Sequence, residues 1–252
     1  MKRVVRHLVV GLLLYAVFLA AQAPASFVLQ AVGRHTDGRV TLSELHGTLW
    51  RGDAVVLAGR DARRLGVVHW RVDGLWLLLG RVHADIEMNE PELKLRSVVT
   101  LSHRSLRLAD TQASLSASVA EAFYTPLELL GLRGQVRIHS DTFAIDADGA
   151  AGTMDWFIDN VASRSSTVAP LGSYRLSLNG DGAEVKIALT TASGDLALAG
   201  QGEWRPGSGA LRFEGAARPL ARAAELEPLL QLLGPDRGKG QRALAANLNF
   251  AW

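Results

Sequence analysis

Residues 174–190 read Tyr174-Arg175-Leu176-Ser177-Leu178-Asn179-Gly180-Asp181-Gly182-Ala183-Glu184-Val185-Lys186-Ile187-Ala188-Leu189-Thr190. Tyr174, Leu176 and Leu178 fall on one side of a period-two pattern, and Arg175, Ser177 and Asn179 fall on the other. The pattern resumes after the turn, with Val185, Ile187 and Leu189 set against Glu184, Lys186 and Ala188. Successive side chains of a strand point to opposite faces, so this is the signature of two half-buried β-strands. Asn-Gly supplies the positive φ that a tight turn needs. Strands joined by so short a turn are antiparallel.

The same grammar extends in both directions. Toward the C-terminus, Asp195–Gly200 and Ala210–Gly215 read as strands, with breaks at Ser193-Gly194 and Gly207-Ser208-Gly209. The chain ends on a further strand, Ala243–Trp252. Toward the N-terminus the strands are Met154–Val161, Gln135–Ile145, Ser105–Ala109, Glu92–Leu101, Val82–Met88 and Val67–Val72. Before them, Val40, Leu42 and Leu45 lead into Gly47, and the alternation restarts after Gly52. Three interruptions carry helical spacing: Asp73–Gly80, Gln112–Leu130 and Leu220–Leu233. Pro228 interrupts the last, and Gly234-Pro235 ends it.

One face apolar and one face wet, strand after strand, predicts an all-β fold: a long antiparallel meander with a few short helices. Such a sheet must bury its apolar side. A strongly curved sheet or half-barrel does this by curling. A closed sandwich does it with a second sheet, and the pattern leaves both open.

The first twenty-five residues are of another kind. Lys2, Arg3 and Arg6 precede an uninterrupted apolar run whose members include Leu8, Val9, Val10, Leu12, Leu13, Leu14, Val17, Phe18 and Leu19. Basic flanks stay on the cytoplasmic side, so the remainder is directed across a membrane. The run sits at the lower border for a spanning helix, and Val4, Val5, Ala23 and Ala25 extend it. Ala21-Gln22-Ala23 also resembles a signal-peptide cleavage site, although Pro24 would follow the cut directly. The expected organisation is a membrane anchor over 1–25, a linker over 26–37 and a periplasmic β domain over 38–252. The corresponding location is the inner membrane, single-pass, with the N-terminus cytoplasmic.

Composition narrows the function. The 27 Lys and Arg residues nearly balance 25 Asp and Glu, so no concentrated basic field exists for nucleic acid. With 0 cysteines there is no disulfide, thiolate nucleophile or cysteine metal site. His69, His83, His103 and His139 lack metal-ligand spacing. Asp146-Ala147-Asp148-Gly149 lacks the later oxygen ligands of a calcium loop and reads as a turn. No Gly-x-Ser-x-Gly elbow and no phosphate loop is present. The residues point to no catalytic group, no cofactor and no metal. Trp50 is either an anchor for a partner or a cap on the core.

The basic N-terminus, the apolar run and the β domain occur together with Gly47-Thr48-Leu49-Trp50-Arg51-Gly52-Asp53-Ala54. Leu129-Leu130-Gly131-Leu132-Arg133-Gly134 and the closing Leu248-Asn249-Phe250 complete the set. Over nearly its whole length the chain resembles the type II secretion system protein N family. Gly47, Trp50, Gly52, Gly131, Gly134 and Phe250 are the positions that carry the likeness. The resemblance implies a non-enzymatic inner-membrane component of a protein-export machine, with the membrane and other secretion subunits as partners. Two alternatives remain from the residues themselves. One is a groove protein handling lipids or amphiphiles on its apolar face. The other is a small outer-membrane barrel, if the N-terminus is cleaved.

Overall fold

Period-two alternation becomes fourteen strands in a single antiparallel sheet. The computed structural model describes residues 15, 22–26, 40–59, 62–77, 79–121, 130–238 and 240–249. The first six strands are β1 (Val40–Gly47), β2 (Arg51–Ala58), β3 (Arg63–Asp73), β4 (Val82–Asn89), β5 (Leu93–Leu101) and β6 (Ser105–Ser116). The longest follow, β7 (Leu132–Asp146) and β8 (Ala150–Ser163). Then come β9 (Gly172–Gly182), β10 (Glu184–Gly194), β11 (Leu196–Arg205), β12 (Ala210–Pro219), the short β13 (Asp236–Gly238) and β14 (Gln241–Asn249). Neighbours in sequence are neighbours in the sheet from β1 to β12. The order then reverses, so that β14 lies beside β12 and β13 lies outside it. β1 and β13 do not pair, and the sheet is open rather than a barrel. No second sheet faces it among the described residues, which rules for the curved sheet over the sandwich.

Among the described residues three α-helices interrupt the meander: α1 (Gly74–Leu77), α2 (Ala117–Glu121) and α3 (Ala223–Leu233). The first and third fall inside the expected segments. The second corrects the reading of Gln112–Leu130. Gln112 to Ser116 belong to β6, because that stretch pairs on both sides, Leu115 with Leu93 of β5 and with Val136 of β7. Two ladders outweigh a helical spacing of side chains. Only α2 is helical there, and residues 122–129 lie outside the described residues. Among the described residues no helix is long and apolar enough to cross a membrane. The apolar run with Leu8, Val9, Val10, Leu12, Leu13, Leu14, Val17, Phe18 and Leu19 lies outside them, as do the linker residues 27–39 and Phe250.

Three apolar clusters share the sheet's one apolar face. The first joins Leu42, Ala54, Val56, Leu65, Trp70 and Met88 to Val119 of α2 and to Ala25. Ala25 is there because the N-terminal segment crosses the β1–β2 hairpin. Leu49 N–H donates to Ala23 O at 2.8 Å, and Pro24 bridges Thr48. The second cluster lies under α3, where Leu226, Leu229 and Leu230 bury themselves against Val161, Tyr174, Leu196 and Ala217. The third, Phe143, Ala150, Met154 and Val185, has no helix in it. There the sheet covers itself. A flat sheet would hold the β7–β8 turn about 19 Å from the β11–β12 turn, four strand spacings away. Instead, a Cβ on Gly207 would lie 2.9 Å from Ala147 O. This end of the sheet is rolled toward its apolar side.

Candidate functional site

The glycine-bracketed motif is a hairpin lock. Gly47 has φ +88°, and a Cβ there would run into Arg51 O. A Cβ on Gly52 would sit 2.5 Å from His46 O and 2.5 Å from the Trp70 ring. That close approach lets the Trp70 indole slide beneath the hairpin. Its Nε1 donates to Leu49 O at 3.2 Å and to Thr48 O at 3.3 Å. Trp50 is half-buried with its ring over Gly74 of α1, where a Cβ would lie 3.0 Å from it. Trp76 stacks on His83, ring centroids 5.0 Å apart. Gly131 and Gly134 do the same for β7. Both have positive φ (+52° and +136°), and a Cβ on Gly134 would meet Asp159 O of β8 at 2.8 Å. Of the motif positions, Gly47, Gly52, Gly131 and Gly134 thus brace neighbouring strands, and Trp50 packs on α1. They are not brought together in one site.

The histidines are scattered too. His83 Nδ1 lies 2.9 Å from Thr100 Oγ1, and His139 Nε2 lies 3.4 Å from Asp141. Among the described residues no three His, Asp or Glu side chains converge as a metal set. Asp146 Oδ1 accepts the N–H of Asp148 at 2.9 Å and of Gly149 at 2.8 Å, the bonds of a turn.

The wet face carries a polar cluster on β7, β8 and β9. Phe157 of β8 lies between two guanidinium groups, Arg137 at 5.4 Å and Arg175 at 5.3 Å from its centroid. Each arginine also holds a carboxylate of β8: Arg137 binds Asp159 at 2.8 Å, and Arg175 binds Asp155 at 3.0 Å. Hydrogen bonding from Arg175, then from Ser177, holds the Asp155 carboxyl below the usual range against the opposing effect of burial. The sequence could not announce this cluster. Its members meet only through the registers Phe157↔Arg137 and Phe157↔Arg175.

What the molecule presents outward is an open sheet edge and a half-buried stretch of its apolar face. The last strand, β14, pairs with β12 along its length and with β13 only at Gln241 and Arg242. Leu248 on that strand is 40% exposed. On the apolar face Leu176, Leu178, Ile187, Leu189 and Phe213 are half-buried.

The family model for type II secretion system (T2SS) protein N matches residues 38–245, from the lead-in to β1 to the middle of β14. The chain belongs to the type II secretion system protein N family. It is therefore a component of type II protein secretion. No curated protein and no solved structure matches the chain.

Proposed function

We propose that this chain is an inner-membrane-anchored subunit that helps assemble or stabilise the secretion machine by contact with other subunits, without doing chemistry. Family membership supports the machine, and the open sheet carries the argument for contact. A sheet with two edges offers backbone donors and acceptors to a partner, which a closed barrel does not. The anchor confines the domain to the membrane surface and raises its effective concentration toward its neighbours.

The seating of Ala23–Ala25 supports an uncleaved N-terminus. Ala25 is 4% exposed inside the first core cluster, and the carbonyl of Ala23 is the acceptor for Leu49 N–H. A cut after Ala23 or Ala25 would break the chain within a packed segment. The test is to isolate the full chain from washed inner membranes and measure its intact mass and its companions. The expected result is a retained N-terminus, with other secretion subunits co-isolating. A start at Pro24 or Ser26, or a chain that comes away alone, contradicts the proposal.

A second reading rests on the half-buried run Leu176, Leu178, Ile187, Leu189 and Phe213. An apolar surface of this kind also suits an acyl chain. On that reading the protein handles an amphiphile, and its subunit contacts are incidental.

A further inference from the structure

In antiparallel sheets a strand's backbone groups point alternately to its two neighbours. In β14 the N–H of Ala243 points away from β12, since it donates to Pro235 O at 2.9 Å. The β12–β14 register runs without a bulge from Arg242 to Asn249. The N–H and C=O groups of Ala245, Asn247 and Asn249 therefore point outward as well. β13 reaches only Gln241 and Arg242, and Gly234 is pressed against Ala243 O. Beyond Ala243 no strand pairs with this edge among the described residues.

The two edges of the sheet are built differently. β1 is guarded in ways that discourage pairing. Its register slips between Ser43 and His46, Glu44 adopts φ +49°, and exposed Glu44 and His46 stand on the strand. Ala23-Pro24 closes its far end. The run Ala243-Leu244-Ala245-Ala246-Asn247-Leu248-Asn249 has none of these devices: no charge, no proline, no glycine, no bulge and no positive φ. An unguarded edge of this length is a template for another strand.

We propose that the Ala245–Asn249 edge of β14 binds an extended segment of another secretion subunit by strand addition. This rests on the reading of the chain as a docking subunit. The pleat also sets the partner's pattern. Apolar side chains would alternate on the side of Leu244, Ala246 and Leu248, and small or uncharged polar ones on the side of Ala245, Asn247 and Asn249.

The test uses the detergent-solubilised full chain and short overlapping synthetic peptides that tile the other secretion subunits. Asn247→Pro removes an outward N–H and leaves the β12 ladder intact, whereas Asn247→Ala keeps the N–H. At least one peptide should bind the unaltered chain and Asn247→Ala alike, and bind Asn247→Pro about tenfold more weakly or worse. Asn249→Pro serves the same purpose if thermal melting shows that Asn247→Pro does not fold. Peptide binding indifferent to these prolines, or no peptide binding at all, overturns the proposal. A dimer of the chain that the prolines abolish assigns the edge to a second copy and also overturns it. Subunits that still co-isolate with the proline variants would leave docking standing and sink only the edge. Subunits absent even from the unaltered chain would sink docking itself.

Discussion

Tyr174 shows how a single residue ties strands together at the α3 end of the sheet. It lies 4% exposed on the apolar face of β9, and its hydroxyl donates to Leu196 O at 3.0 Å. The N–H of Leu196 in turn reaches Leu171 O at 3.0 Å, so β11 is tied to the start of β9 beyond the end of β10. Burial pushes the phenol up from 10.0 to about 12. A folded-state pKa raised above the unfolded one means the stabilisation is full below pH 10 and is lost as pH rises through about 12. Tyr174→Phe should cost about 1 kcal/mol near neutral pH, because one buried hydrogen bond disappears. It should also remove this alkaline loss. Urea unfolding midpoints measured across alkaline pH check both. A variant whose stability falls with pH as steeply as the parent's would show that Tyr174 is not the group responsible.

At the scale of elements, α3 does for one end of the sheet what rolling does for the other. Its start is held by Arg222, whose Nε donates to Asp195 at 2.8 Å. Pro228 removes a hydrogen bond inside the helix. Burial of Leu226, Leu229 and Leu230, each at most 2% exposed, offsets that loss. Leu226→Ala should destabilise the protein by roughly 2–5 kcal/mol, as deletion of a fully buried leucine leaves a cavity. Denaturant unfolding measures this. A change under about 0.5 kcal/mol would mean that α3 is dispensable to the core. α3 was legible in the sequence, since a helical apolar stripe and a Gly-Pro stop lie close together. The strands were legible wherever one face is apolar and the other wet. The segment Gln112–Ser116 was not, because its partners on β5 and β7 lie outside any local window. The β14 edge was hidden for a related reason. Its alternation reads as strand, but only the β12–β14–β13 order shows that beyond Ala243 its outward groups meet no strand among the described residues. The motif glycines were legible as special backbone positions. That they brace separate strand pairs follows from register, which the sequence does not state.

Taken whole, the chain is a rolled but unclosed sheet. Its apolar face is covered by α2 and Ala25 at one end, by α3 near the other, and by its own curvature between. The family match accounts for the machine it belongs to, and the open architecture supports the proposed role played through surfaces. Docking and lipid capture make opposite demands on that architecture: the first needs the edge, the second needs the face. The most direct test is a paired measurement on a fragment of residues 22–252, which keeps the packed Ala23–Ala25 segment, recording which secretion subunits it retains and which lipids co-purify with it. The account predicts subunit retention, weaker than that of the full chain because the effective concentration supplied by the proposed anchor is lost. Bound lipid with no subunit contact would contradict it.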